Sequence, residues 1–135
     1  MLKAKDIMQS SLITVKEDTT VIEAINILGQ NKITGLPVVD DDMNLLGLVS
    51  EKDVLSIAYR VLAGLVGDTM DAKKIGDIMT KDVVSFRLDD NLADICQCFM
   101  NNPFRRVPVL RNGKLFGIIS RKDIIAHAFA ALGNE

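Results

Sequence analysis

An α+β fold made of two tandem β-α-β-β-α units is the class this sequence predicts, and three observations predict it. The first is an internal repeat: Asp6-Ile7-Met8 recurs as Asp77-Ile78-Met79, Asp18 as Asp89, Asn31 as Asn102 and Pro37-Val38 as Pro108-Val109, all at an offset of 71. The second is that both copies run through β-rich and helically spaced segments in the same order. The third is the place of the one gap. It falls between Asp40–Asn44 and Arg111–Gly113, after which Ser50, Lys52 and Asp53 meet Ser120, Lys122 and Asp123 at an offset of 70. Length changes of this kind are tolerated in turns.

Each copy opens with a short β-rich run, Ile13–Val15 and Val83–Phe86. Thr20 with Glu23 has the capping-box pattern, and Asn91 with Asp94 is a weaker version of it. Behind these caps Val21, Ala24, Ile25 and Leu28 recur at helical spacing, as do Leu92, Ile95 and Phe99, and the helices should end near Asn31 and Asn102. Leu36–Val39 and Val107–Leu110 read as strands whose proline suggests an edge or a first position. Leu45–Val49 and Lys114–Ile119 read as buried strands, and Ser50 and Ser120 open helices reaching about Leu62 and Leu132. The expected division is 1–62, a connector 63–74, and 75–135. One unit of three short strands and two helices is too small to close a core alone.

Composition removes several function classes. Hydrophobic residues are 48% and charged residues 25%, with a net charge of −2, so no global basic field draws in nucleic acid or an anionic membrane. Arg105, Arg106, Arg111 and Lys114 form only a modest basic strip. No run of about 18 apolar residues and no leader pattern is present, so a cytoplasmic domain is expected. Cys96 and Cys98 stand two apart in a predicted helix, point to different faces, and read as buried small hydrophobes. His127 is the only histidine. No nucleophile–base pair, metal cluster or phosphate-binding glycine loop is legible, so neither an enzyme nor a metal site is expected. Asp40, Asp42, Asn44 and Glu51 match positions 1, 3, 5 and 12 of a calcium loop. Leu45 stands where that loop needs glycine, so Asp40–Asn44 reads as a hairpin turn.

The residues that carry chemistry are the repeated ones. Gly47-Leu48-Val49-Ser50-Glu51-Lys52-Asp53 recurs as Gly117-Ile118-Ile119-Ser120-Arg121-Lys122-Asp123. Serine at a helix N-cap with an acid three residues on is a helix-start signature in its own right. The same geometry suits a sugar-phosphate: the helix N-terminus offers free N–H groups and the positive end of its dipole, the hydroxyl can donate, and the carboxylate can accept from two vicinal hydroxyls. Before each proline stand Ile33-Thr34-Gly35 in one copy and Phe104-Arg105-Arg106 in the other. Arginine forks match phosphate oxygens, and Thr34-Gly35 carries no charge, so the two sites are not expected to be equivalent.

The Asp-Ile-Met opening and the Gly-φ-φ-Ser-x-x-Asp-φ ending (φ apolar), each present twice, with the Leu-Pro-Val-Val-Asp strand and its counterpart Val-Pro-Val-Leu-Arg between them, resemble over about Ala4 to Leu132 a tandem pair of CBS domains, a Bateman module. The resemblance implies two repeats packed through their sheets with pseudo-twofold symmetry, pairs that dimerise, and clefts for adenosine-containing ligands: AMP, ADP, ATP, NAD or S-adenosylmethionine. It implies ribose-binding roles for Asp53 and Asp123 and hydroxyl positions at Ser50 and Ser120. Ile33, Thr34, Gly35 and Pro37, and Phe104, Arg105, Arg106 and Pro108, match the base-lining segments, while Ile13 and Val84 match first-strand positions against the base. Two functions follow. One is a regulatory sensor in which an adenine nucleotide changes the state read by a partner protein. The other is a constitutive dimerisation or docking module whose Ser–Asp pairs only cap helices.

Overall fold

The computed structural model describes residues 1–33, 35–65 and 73–133. Thr34 and most of the connector, with its Gly67 and Asp68, lie outside the described residues. Two compact units emerge: Ile13–Val83, and Met1–Leu12 together with Val84–Glu135. Each unit therefore combines the hairpin and helices of one repeat with the Asp-Ile-Met opening of the other. The sequence division at 62 and 75 follows the repeat, whereas the spatial division follows packing.

In the unit Ile13–Val83, α2 (Val21–Asn31) starts where Thr20 Oγ1 accepts from the Glu23 amide at 3.1 Å, and it buries Val21, Ala24 and Leu28. Strands β1 (Gly35–Val39) and β2 (Leu45–Ser50) form an antiparallel hairpin. Its turn is closed by Asp40, whose Oδ1 accepts from the amides of Asp42 and Asn44, both at 2.9 Å. The polar run Asp40–Asn44 is thus a hairpin turn, as its composition predicts. Helix α3 (Glu51–Leu62) follows directly from β2. The core gathers Val15, Val21, Ala24, Leu28, Leu36, Val38, Val49, Ile57 and Ile75. Burial of each aliphatic side chain of this size contributes about 1.5–3 kcal/mol.

The other unit repeats the plan. α1 (Ala4–Ile7) packs into a core with Leu92, Ile95 and Phe99 of α4 (Leu92–Asn101) and with Val107, Val109 and Ile119 of the sheet. That sheet has the order β3-β4-β5, with β3 (Phe86–Arg87) parallel to β4 (Arg106–Arg111) and β4 antiparallel to β5 (Lys114–Ser120). Helix α5 (Arg121–Gly133) follows β5. Asn91 departs from its expected capping role: its Oδ1 accepts from Lys3 Nζ at 2.7 Å and makes no cap hydrogen bond. Cys96 and Cys98 are free and half-buried, and so less buried than their reading as core hydrophobes predicts.

The first strands are shorter than expected, and the prolines explain why. Val15 makes one parallel bridge to Val38, donating to the Pro37 carbonyl at 3.0 Å and accepting from the Val39 amide at 2.9 Å. Extending that ladder back to Ile13 would call on the N–H of Pro37, which does not exist. The same holds for Val84 and Pro108, since β3 begins at Phe86 opposite Val109. Ile13 and Val84 consequently lie outside strands and are exposed. Pro108 in turn sits in the central strand of its sheet, not on an edge, because β3 stops before it would need the missing donor.

The glycine of each repeated motif has a packing reason. A Cβ on Gly47 would lie 2.6 Å from the Thr80 carbonyl oxygen and 2.9 Å from Met79 Sδ. A Cβ on Gly117 would lie 2.5 Å from Met8 Sδ. The methionine of each Asp-Ile-Met opening therefore seats on the glycine of the other repeat's strand.

Candidate functional site

The two repeated turns are built alike. In one unit, β2 ends at Ser50, which is also the N-cap of α3. Ser50 Oγ accepts from the Asp53 amide at 3.3 Å, while Asp53 Oδ2 accepts from the Ser50 amide at 2.9 Å and from its hydroxyl at 3.1 Å. In the other unit Ser120 Oγ accepts from the Asp123 amide at 3.2 Å, and Asp123 Oδ2 accepts from the Ser120 amide at 2.9 Å. Both aspartates are half-buried, with Lys52 and Lys122 exposed beside them. Each turn is a reciprocal capping box with a half-buried carboxylate at a helix N-terminus.

Strand register brings the pre-proline residues to these turns. Gly35 is paired directly with Ser50, and Arg106 directly with Ser120. Gly35, Pro37 and Pro108 are buried, Ile33, Phe104 and Arg106 are half-buried, and Arg105 is exposed. Thr34 lies outside the described residues. Ile13 and Val84 each precede by two residues the position that pairs parallel with the proline-bearing strand, Val15 and Phe86 respectively. Ser50, Asp53 and Gly35 are thus gathered in one unit, and Ser120, Asp123 and Arg106 in the other.

Two further residues join the second turn that repeat matching alone does not single out. Arg121 donates from its backbone to the Arg105 carbonyl at 3.0 Å, from Nε to the Phe104 carbonyl at 3.0 Å, and from Nη2 to the carbonyls of Phe99 and Asn102 at 3.1 and 2.6 Å. Its guanidinium also lies over the Phe99 ring, which meets Phe104 edge to face at 6.2 Å. Arg121 thereby positions the Phe104–Arg106 segment. Its counterpart in the first copy is Glu51, so the repeat carries no signal for it. The second residue is Gln9, whose Nε2 donates to Asp123 Oδ1 at 3.1 Å and Oδ2 at 3.4 Å.

A groove of about 1140 Å³ lies elsewhere in the same unit, among Lys5, Phe86, Arg87, Asp89 and Arg111. It contains none of the residues predicted to hold ligand, and Lys5 pairs with Asp89 there at 2.8 Å. Among the described residues no group of three or more His, Cys, Asp or Glu is placed to hold a metal ion, and no helix is long and apolar enough to cross a membrane.

The CBS domain family model fits residues 4–60 and again 75–129. The chain belongs to the CBS-domain family. Its two CBS repeats are 32% identical to the chloroplastic CBS domain-containing protein CBSX2 of Arabidopsis thaliana, over 89% of this chain and 60% of that protein. They are 35% identical to inosine-5'-monophosphate dehydrogenase of Methanocaldococcus jannaschii, over 91% of this chain and 23% of the enzyme. The chain thus spans less than two thirds of the length of these curated relatives. Among solved structures, CBSX2 in complex with AMP superposes with a TM-score of 0.85 at 34% identity, covering 97% of this chain and 98% of that one. The CBS domain pair of protein MJ0100, in complex with 5'-methylthioadenosine and S-adenosylmethionine, superposes with a TM-score of 0.78 at 26% identity, covering 97% and 98%. The α+β fold and the tandem CBS repeats read from the sequence are those of the molecule.

Proposed function

We propose that this CBS pair is a regulatory module that binds an adenosine-containing nucleotide at its Ser–Asp turns and passes the change of state to a partner protein. The observation that carries the reading is the repeated juxtaposition of a half-buried aspartate, a serine and a helix N-terminus in a chain whose similar structures hold AMP or S-adenosylmethionine. In this reading the carboxylates of Asp53 and Asp123 accept from ribose hydroxyls. Ser50 and Ser120 donate beside the sugar, and the free N–H groups of α3 and α5 face the negative charge of the phosphate. Arg105 and Arg106 supply forked donors to phosphate oxygens in the second repeat. Ile33, Gly35 and Pro37, and Phe104 and Pro108, line the base, with Ile13 and Val84 as the flanking apolar contacts.

Binding can regulate only if the nucleotide has different affinities for two states of the module. The exposed apolar residues Leu55, Tyr59 and Leu62 of α3 and Ile125 and Phe129 of α5 support the further reading that two copies associate as a homodimer. Sedimentation equilibrium tests this; a monomer at tens of micromolar would refute it. A thermal-shift panel of AMP, ADP, ATP, NAD and S-adenosylmethionine tests the ligand. Ligand at a hundred times its dissociation constant adds about 2.7 kcal/mol of stability. A chain that ignores all five would instead be the constitutive docking module, with its Ser–Asp pairs serving as caps alone.

A further inference from the structure

We propose that Gln9 is a built-in competitor for the Asp123 carboxylate, a side chain that a ribose diol has to displace, so that nucleotide binding is restrained at one of the two Ser–Asp turns. The inference rests on the reading of those turns as nucleotide sites and adds a selectivity residue to it.

The two turns have equivalent backbones. Gln9 follows Met8 as Thr80 follows Met79. Gln9 exchanges both backbone hydrogen bonds with Ile118, at 2.9 and 3.1 Å, and Thr80 exchanges both with Leu48, at 2.8 and 2.9 Å. Ile118 and Leu48 are themselves repeat partners, opposite Pro108 and Pro37. The sheet therefore delivers residues 9 and 80 to the same place beside the two carboxylates. Only the side chains differ.

Gln9 is long enough to reach. Its amide nitrogen donates to both oxygens of Asp123 at 3.1 and 3.4 Å, the nearer bond being to Oδ1, while Ser120 donates to Oδ2. The ionised carboxylate only accepts, so the carboxamide has to present its NH₂ there. Thr80 makes no such bond. Among the described residues Asp53 takes its hydrogen bonds on Oδ2 from Ser50, and none is made to Oδ1. A diol that uses one oxygen for each hydroxyl meets an open Oδ1 on Asp53 and an occupied one on Asp123. The two turns thus have opposed asymmetries: Arg105 and Arg106 add phosphate donors to the turn whose carboxylate Gln9 covers.

The test isolates each turn in the full chain. In an Asp53→Ala background the Asp123 turn is titrated calorimetrically with AMP, with and without Gln9→Thr, which copies the residue at position 80. Loss of one exposed neutral-to-charged hydrogen bond sets the expected gain at roughly three- to ten-fold tighter binding. In an Asp123→Ala background the same substitution should leave the AMP affinity unchanged. Thermal melting confirms that each variant is folded. Equal or weaker affinity on Gln9→Thr in the first background overturns the competitor role and leaves the nucleotide reading standing. If neither the parent protein nor any variant takes up AMP, the competitor role falls, and the nucleotide reading falls with it when ADP, ATP, NAD and S-adenosylmethionine are ignored as well.

Discussion

Ser50 and Asp53, like Ser120 and Asp123, have a structural task as well as a proposed chemical one. Each pair closes a capping box, so truncating the aspartate destabilises the ligand-free protein even if no nucleotide ever binds. Asp53→Ala is expected to lower the free energy of urea unfolding by about 0.5–1.5 kcal/mol without ligand, the size of a lost hydrogen bond, since the Ser50 cap to the residue-53 amide remains. No change would mean that the bonds from Ser50 to the Asp53 carboxylate contribute nothing. The exposed pair Lys5–Asp89 has a different signature. The Lys5 hydrogen bond and charge hold the Asp89 carboxyl below its ordinary value of 3.8, so the pair's small contribution is present above that pH and fades as pH falls below it.

At the scale of the element, the contact between each Asp-Ile-Met opening and the opposing glycine makes a sharp prediction. Gly47→Ala places a methyl against the Thr80 carbonyl at 2.6 Å, where backbone has to move, and should cost about 1–3 kcal/mol in chemical denaturation. Gly29, with nothing within 4 Å of its Cβ position, is the control and should tolerate alanine. Helices α2 to α5 and the two hairpins were legible because caps, turn residues and apolar spacing are local signals. The first strands were not, since the proline that truncates them is a residue of the neighbouring strand. The roles of Gln9 and Arg121 were hidden for a related reason. Gln9 reaches Asp123 across 114 positions of sequence, and Arg121 has Glu51 as its repeat counterpart.

For the whole molecule, the consequential finding is that neither repeat supplies a complete unit. Ala4 is fully buried and Ile7 is 7% exposed in the core formed with Val84–Glu135, although both belong by sequence to the first repeat. Ile7→Ala should therefore destabilise that unit by about 2–5 kcal/mol, read as a loss of protection from amide exchange in β4, β5 and α5. Protection lost instead in β1 and β2 would contradict the observed partition. The repeat itself was legible as a repeat, but the exchange of opening segments was not, because an offset in sequence does not say which hairpin a segment seats on. The candidate site was legible where it is local, at the Ser–Asp turns and the residues before each proline. A regulatory role for the molecule depends on whether those turns hold a nucleotide. The most direct measurement is a calorimetric titration of the full chain with each of AMP, ADP, ATP, NAD and S-adenosylmethionine, beside the Asp53→Ala/Asp123→Ala double variant. The prediction is saturable binding of at least one of the five by the parent and none by the folded double variant; no binding of any of them by the parent, or undiminished binding by the variant, would contradict it.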